Sequence, residues 1–262
     1  LDTVGIDLVA MSANDVSCTG AEPLFFLDYV VIERLIPAEV AAVVAGVAEG
    51  CRRAGCALLG GETAEHPGHL REGGLDLAGF CVGVVAEERL LGPARVRPGD
   101  ALVGLRSSGL HANGFSLARR AVVGLSLDDT PEGLDRPLGE ELLEPTVIYA
   151  PIVAEGTRRG LLRAAAHITG GGLVGNIPRV LPEGAGARVD RSSWAPQEVF
   201  GFLARRAEVS EDDMFRTFNM GLGMVLVTDV DSVDRLIVAS GSVGYDAVHI
   251  GGVTDEPGVR LL

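Results

Sequence analysis

The residues able to do chemistry cluster in a few short glycine-rich or acidic segments. HITGGG, residues 167–172, stands where an apolar run gives way to a helix-like one. Three consecutive glycines there leave backbone N–H groups bare beside a helix N-terminus, where unpaired donors and the helix dipole both favour an anion. A plain strand-to-helix turn carries the same signature, and a short glycine pattern does not separate the two. SSGLHANG, residues 107–114, has the same character, with Ser107, Ser108, His111 and Asn113 flanking two glycines. His111 is either a proton-transfer group or a loop histidine tied up in its turn. Asn14-Asp15 and Gly61-Glu62-Thr63 each follow an apolar run. An acid at such a position suits Mg²⁺, which takes oxygen ligands and brings phosphate with it. Equally, Asp15 caps a helix and Glu62 is a solvated loop acid. Asp2 and Asp7 lie just upstream, with Asp7 expected on one strand face with Gly5 and Val9.

All 22 basic residues are arginine, and the chain contains no lysine. That excludes a Walker-A lysine, a Schiff-base lysine and a lysine general base. His66 and His69 form HPGH, which reads as a turn without a third ligand nearby for zinc. His249, in an apolar run, reads as a core histidine. Neither a nucleophile elbow, an HExxH pair nor a dinucleotide fingerprint occurs.

The elements that must position these groups follow from periodicity. Residues 3–11 alternate apolar and polar, as a strand does, with a short helix expected from Ser12 to Ala21. Residues 24–33 read as the strongest strand, and Pro37 opens a helix that Gly55 ends. Residues 56–60 read as a strand, followed by a polar loop carrying GGETAEHPG, and 75–86 as a strand. RVRPGD, 95–100, marks a boundary between two domains, 1–95 and 96–262. The second restarts with a strand at 101–107. Helices are expected near 114–123 and 147–159, and a strand at 164–168. The segment from Gly170 turns into a helix, and short helices follow at 196–206 and 211–217. A strand at 221–228, a helix at 231–240 and a last strand at 246–252 complete the pattern. Strands alternate with helices throughout, which predicts an α/β (α+β) layer structure.

At 262 residues the chain is long enough to bury a core without disulfides or metal. A formal charge of −14 repels nucleic acid and anionic lipid, and points to small-molecule substrates. Cys18, Cys51, Cys56 and Cys81 fit no zinc spacing and read as free thiols of a cytoplasmic protein. The sequence has neither an apolar run of transmembrane length nor the basic start of a signal peptide. Beginning at Leu1 in a patterned segment, it is expected to lack its start.

Taken in order, NDVSCTGAEPLFFLDYV (14–30), GGETAEHPG (60–68), SSGLHANGFSLARR (107–120), EPTVIYAP (144–151), HITGGGLVGNIPRVLP (167–182) and NMGLGMVLV (219–227) resemble the aminoimidazole ribonucleotide synthetases. The resemblance covers essentially the whole chain. It implies a two-domain fold whose N-terminal sheet joins its twin in a dimer barrel, followed by a C-terminal α/β domain. It implies ATP-dependent cyclisation of formylglycinamidine ribonucleotide in purine biosynthesis, with Mg²⁺ and a homodimer. ATP would phosphorylate the formyl amide oxygen, and the amidine nitrogen would then displace phosphate as the ring closes. Catalysis would rest on positioning and charge stabilisation.

By the same resemblance Asp15 holds Mg²⁺ and the ATP phosphates, with Asn14 beside it and Glu62 as a second acid. Asp2 and Asp7 line that site. His111 and Asn113 face the substrate. His167, Thr169, Gly170 and Gly171 hold the substrate phosphate or the transferred one. Two departures stand out. The family's upstream glycine-rich segment and its Asp-Gly-Val-Gly-Thr-Lys piece are not in this sequence, and HPGH replaces Met-Pro-Gly-Met. The other readings are a small-molecule kinase of the same superfamily and a non-catalytic nucleotide-binding fragment. The residues also allow LFFLDYVVIE to be either a strand covered by a second copy or one buried within a single chain.

Overall fold

A computed structural model describes residues 1–262. The chain opens with helix α1 (Asp2–Ser17), strand β1 (Glu22–Ile32), helix α2 (Pro37–Ala54), and strands β2 (Ala57–Glu65) and β3 (Leu75–Val84). Then come β4 (Ala101–Arg106), α3 (Phe115–Ala121), α4 (Leu138–Leu142), α5 (Ala150–Arg158), β5 (Ala164–His167) and α6 (Gly172–Asn176). The remainder is β6 (Gly186–Val189), α7 (Glu198–Ala207), α8 (Glu211–Thr217), β7 (Leu222–Thr228), α9 (Val233–Ser242), β8 (Ala247–Thr254) and β9 (Gly258–Leu261). No helix is long and apolar enough to cross a membrane.

The strand expected at residues 3–11 is instead part of α1. Its buried residues, Gly5, Ile6, Val9, Ala10, Ala13, Asn14 and Ser17, recur at helical spacing over the full element. Alternation over nine residues was the weaker signal, because no Gly-Pro punctuation separates it from the helix-like residues that follow. Asp7 therefore shares no strand face with Gly5 and Val9. α1 packs closely on α2: a Cβ at Gly5 would meet the Val43 and Val47 backbone, and one at Gly50 would meet Val9. α2 starts at Pro37 and ends at Gly55, whose φ of 75° is left-handed, as expected.

β1 is flanked by β2 in parallel and β3 antiparallel. The loop expected from residue 60 is instead the second half of β2, where Gly60–Glu65 pair with Leu27–Ile32. Polar and glycine residues suffice there because an edge strand needs its backbone ladder more than apolar side chains. α1 and α2 cover one face of this sheet, burying Phe26 and Val30. On the other face Leu27, Tyr29, Leu59 and Phe80 are exposed.

The second sheet has the order β5-β7-β4-β8-β6-β9. Alternate residues of its central strands enter two cores: Leu102, Leu222 and Val225 on one face, and Val103, Leu105, Met224 and Leu226 on the other. The four-residue strands β6 and β9 were not expected; they pair in parallel, so the strand at 246–252 is not the last. Strands this short carry too few alternations to be read from sequence.

Candidate active site at the seam between the sheets

One face of α1 meets the 145–149 strap and the end of β5, and the polar residues of the site lie along that seam. Asp7 accepts two hydrogen bonds from Thr146, from its N–H at 2.7 Å and from its hydroxyl at 2.5 Å. Burial pushes the Asp7 carboxyl pKa up, and the two Thr146 bonds partly offset the rise. Asn14, fully buried, takes a hydrogen bond from the Tyr149 N–H on its Oδ1 at 2.7 Å. Its Nδ2 donates to the Val147 carbonyl at 2.9 Å and lies 3.4 Å from His167 Nε2. One residue along the helix, Asp15 Oδ1 lies 2.8 Å from His167 Nδ1. The His167 side chain is only 3% exposed, whereas that of Asp15 is 67% exposed. The acid thus presents carboxylate to solvent while its partner is fixed in the core.

His111 also meets the strap, at Val147. Its Nε2 accepts from the Ser108 N–H at 3.3 Å and the Val147 N–H at 3.4 Å. Those bonds leave the proton on Nδ1, which is buried with no partner. His111 is also one of three non-glycine residues in left-handed backbone, at φ 60°. Burial, helped by nearby His167, lowers its pKa to about 3, so the ring is neutral. A Cβ at Gly223 would collide with the His111 ring and the Tyr149 hydroxyl, so β7 must carry glycine there.

After His167 the glycine segment turns as expected, with Gly171 at φ 97° and Gly172 at φ 59°. Its amides are not all bare. The Gly170 N–H donates to Asn113 Oδ1 at 3.1 Å, and the Gly172 N–H returns to the Thr169 carbonyl at 3.1 Å. Asn176 Nδ2 donates to the carbonyls of Thr169, Gly170 and Gly172 at 3.3, 3.3 and 2.8 Å, and its Oδ1 accepts from the Thr169 hydroxyl at 3.4 Å.

The structure therefore joins Asp15, Asn14 and His167 directly, and Asn113 to Gly170. Two of the acids stay apart from this network. Glu62 lies on β2 opposite Tyr29, and its Oε1 accepts from the Thr63 N–H. Asp2, in the first turn of α1, has its side chain 78% exposed. No group of three or more His, Cys, Asp or Glu side chains converges as a metal cage. Sequence reasoning did not single out Thr146, Asn176 or Asn219. Asn219 accepts from Ser107 and Gly221 and donates to the carbonyls of Gly109 and Leu110, which shapes the His111 turn. The available signal was that each is the amide or hydroxyl member of a glycine- or proline-rich block.

Residues 1–85 match the family described as AIR synthase related protein, N-terminal domain, and residues 97–262 match AIR synthase related protein, C-terminal domain. A phosphoribosylformylglycinamidine cyclo-ligase of Geobacillus kaustophilus (strain HTA426) is 51% identical over 263 aligned positions that cover 99% of this chain and 76% of that protein. Its counterpart from Myxococcus xanthus (strain DK1622) is 51% identical over 254 residues, 96% of this chain and 74% of that one. The counterpart from Gloeobacter violaceus (strain ATCC 29082 / PCC 7421) is 50% identical, over 99% of this chain and 78% of that one. Among solved structures, thiamine-monophosphate kinase from Stenotrophomonas maltophilia K279a superposes with a TM-score of 0.74 at 20% identity, over 99% of this chain and 79% of that one. E. coli HypE, a hydrogenase maturation protein, does so with a TM-score of 0.71 at 22% identity, over 98% and 75%. These two likenesses establish a shared fold.

Proposed function

This chain belongs to the AIR synthase family, and from that membership we propose that its seam works as the phosphate-handling centre of an imidazole-forming cyclo-ligase. The enzyme is an ATP-dependent ligase of purine biosynthesis, converting formylglycinamidine ribonucleotide to aminoimidazole ribonucleotide. The observation that carries the assignment of the centre is the 2.8 Å contact between solvent-facing Asp15 and buried His167, followed at once by the glycine turn.

In the reaction the terminal phosphoryl group of ATP passes to the formyl amide oxygen. The amidine nitrogen then attacks that carbon and phosphate leaves. Such a transfer needs alignment and charge stabilisation more than a protein nucleophile. Asp15 suits Mg²⁺ chemically: only Oδ1 is engaged with His167, and a hard cation takes carboxylate oxygen together with water and phosphate oxygens. Mg²⁺, when bound, neutralises and orients the polyphosphate oxygens; Asp15 and, from sheet β2-β1-β3, Glu62 are the acids we assign to it. Asp2 and Asp7 belong to the same half. Asp7 contributes by fastening the strap through Thr146 rather than by offering a free carboxylate.

Thr169, Gly170 and Gly171 stand next to His167 and are assigned to the phosphate of the substrate or the one in transfer. Asn113 sets the glycine turn through the Gly170 amide. His111, neutral and buried, offers its unpartnered Nδ1–H as a donor and not as an acid. The division of labour is 1–95 for ATP binding and dimerisation and 96–262 for the substrate. Homodimerisation is supported by the exposed apolar face carrying Leu27, Leu59 and Phe80. Four free cysteines support a cytoplasmic setting.

Turnover of Asp15→Asn and His111→Ala under saturating ATP tests the centre. Each substitution is expected to lower kcat by roughly 10²–10³-fold, the cost of losing one preorganised polar group. Near-normal rates in both would remove the site assignment. ADP accompanied by a phosphorylated, uncyclised product would favour a kinase, and nucleotide binding without turnover a non-catalytic role.

A further inference from the structure

We propose that Asn14 is a positioning residue that fixes the ring of His167 in the tautomer bearing its proton on Nδ1, so that His167 serves Asp15 as a stationary hydrogen-bond donor. This deepens the reading of Asp15 given above and rests on it for its catalytic meaning.

The orientation of the Asn14 amide is set at both ends by backbone groups that cannot exchange roles. The Tyr149 N–H, 2.7 Å away, requires an acceptor, so oxygen faces it. The Val147 carbonyl, 2.9 Å away, requires a donor, so nitrogen faces that side. The nitrogen facing Val147 is the one 3.4 Å from His167 Nε2. With N–H pointing at it, Nε2 must be the acceptor nitrogen, because two N–H groups cannot share the gap. The ring proton is then on Nδ1, directed at Asp15 Oδ1 at 2.8 Å. Asn14 and His167 are 0% and 6% exposed, so water does not compete for Nε2. Asp15 is thereby held by one oxygen, and its other oxygen is left for whatever binds at the seam. A histidine arranged this way orients a carboxylate and moves no proton itself, the arrangement by which outer partners usually tune a ligand.

Imidazole ¹⁵N spectra of the full chain with labelled histidine, at one neutral pH, read the tautomer directly. His167 is assigned by the signal that disappears in His167→Asn. The expected spectrum shows a pyrrole-type Nδ1 and a pyridine-type Nε2. A protonated Nε2 overturns the proposal. Asp15→Ala, at an exposed position, is expected to keep that pattern, since Asn14 enforces it. Loss of the pattern there would transfer control to Asp15 and overturn the role of Asn14. Asn14→Ala is expected to mix the tautomers and to lower kcat roughly 10–100-fold with the KM for the amidine substrate little changed. An unmixed spectrum with normal kcat overturns the proposal. If Asn14→Ala does not fold, the wild-type and Asp15→Ala spectra still decide. Normal turnover in Asp15→Asn beside the expected tautomer would instead sink the catalytic reading of Asp15 and leave this assignment standing.

Discussion

The two sheets of this chain are finished differently. In the six-stranded sheet, strands β5, β7 and β4 are buried on both faces within the chain's own cores, with every residue of β7 inaccessible, while β8 and β9 keep exposed residues, His249 among them. Sheet β2-β1-β3 is covered on one face only, and its other face shows Phe80 at 61% and Leu59 at 64% exposure. The first is complete within one polypeptide. The second has the composition of an interior and the exposure of a surface, and it is the face assigned above to the proposed dimer. The groups assigned above to the proposed centre sit where the two halves meet: β5 of the larger sheet supplies His167, and α1, which covers the smaller sheet, supplies Asp15.

Substitutions that separate these two conditions test the contrast. Leu105→Ala, in the doubly covered sheet, is expected to cost about 2–5 kcal/mol, read as a lower urea midpoint at unchanged slope. A much smaller loss would mean that this sheet is less tightly filled than its burial shows. Gly223→Ala should cost about 1–3 kcal/mol by forcing a methyl against Tyr149 and His111. Acid sharpens the contrast again through His111, whose folded-state pKa of about 3 lies below the ordinary value of 6.5. Between those values the unfolded chain takes up a proton that the folded one excludes. Stability then falls as pH drops below 6.5, by up to about 1.4 kcal/mol per pH unit, and His111 contributes no pH dependence above it. Unfolding series at several pH values should show this slope in the wild type and a flatter one in His111→Asn. Phe80→Ser has the smallest expected effect on the folded chain, within about 0.5 kcal/mol. Sedimentation velocity should nevertheless show it shifting a dimer to monomer. A large stability loss without any change in assembly would put Phe80 inside a single-chain core and erase the distinction.

Much of this organisation could be read from residue order. Pro37 and Gly55 bounded α2, the strand around Phe26 and Val30 stood out, and the glycines after His167 announced their turn. What could not be read is what distant residues do to one another. Asp7 was expected to line the nucleotide site, and nothing local marks the bond it makes to Thr146, 139 positions away. Glu62 looked like a loop residue because parallel pairing with β1, not its own neighbours, makes Gly60–Glu65 a strand. α1 looked like a strand because a short window concealed the longer helical period. Gly170 looked like an open anion donor, yet Asn113, 57 positions earlier, takes its amide. For Asp7, Glu62 and Gly170 local pattern named the residue type, and long-range pairing set its partners.

The fastening of α1 has a further consequence. Asp7, Asn14 and Asp15 ride on one helix of 16 residues, and their polar partners all lie beyond position 145. On the proposed assignment, any movement that parts α1 from the 145–149 strap and β5 would separate Asp15 from His167 while the large sheet kept its own cores. Inactivation under mild heating would then run ahead of global melting, and a chain nicked between its halves would regain activity only when the pieces found each other again.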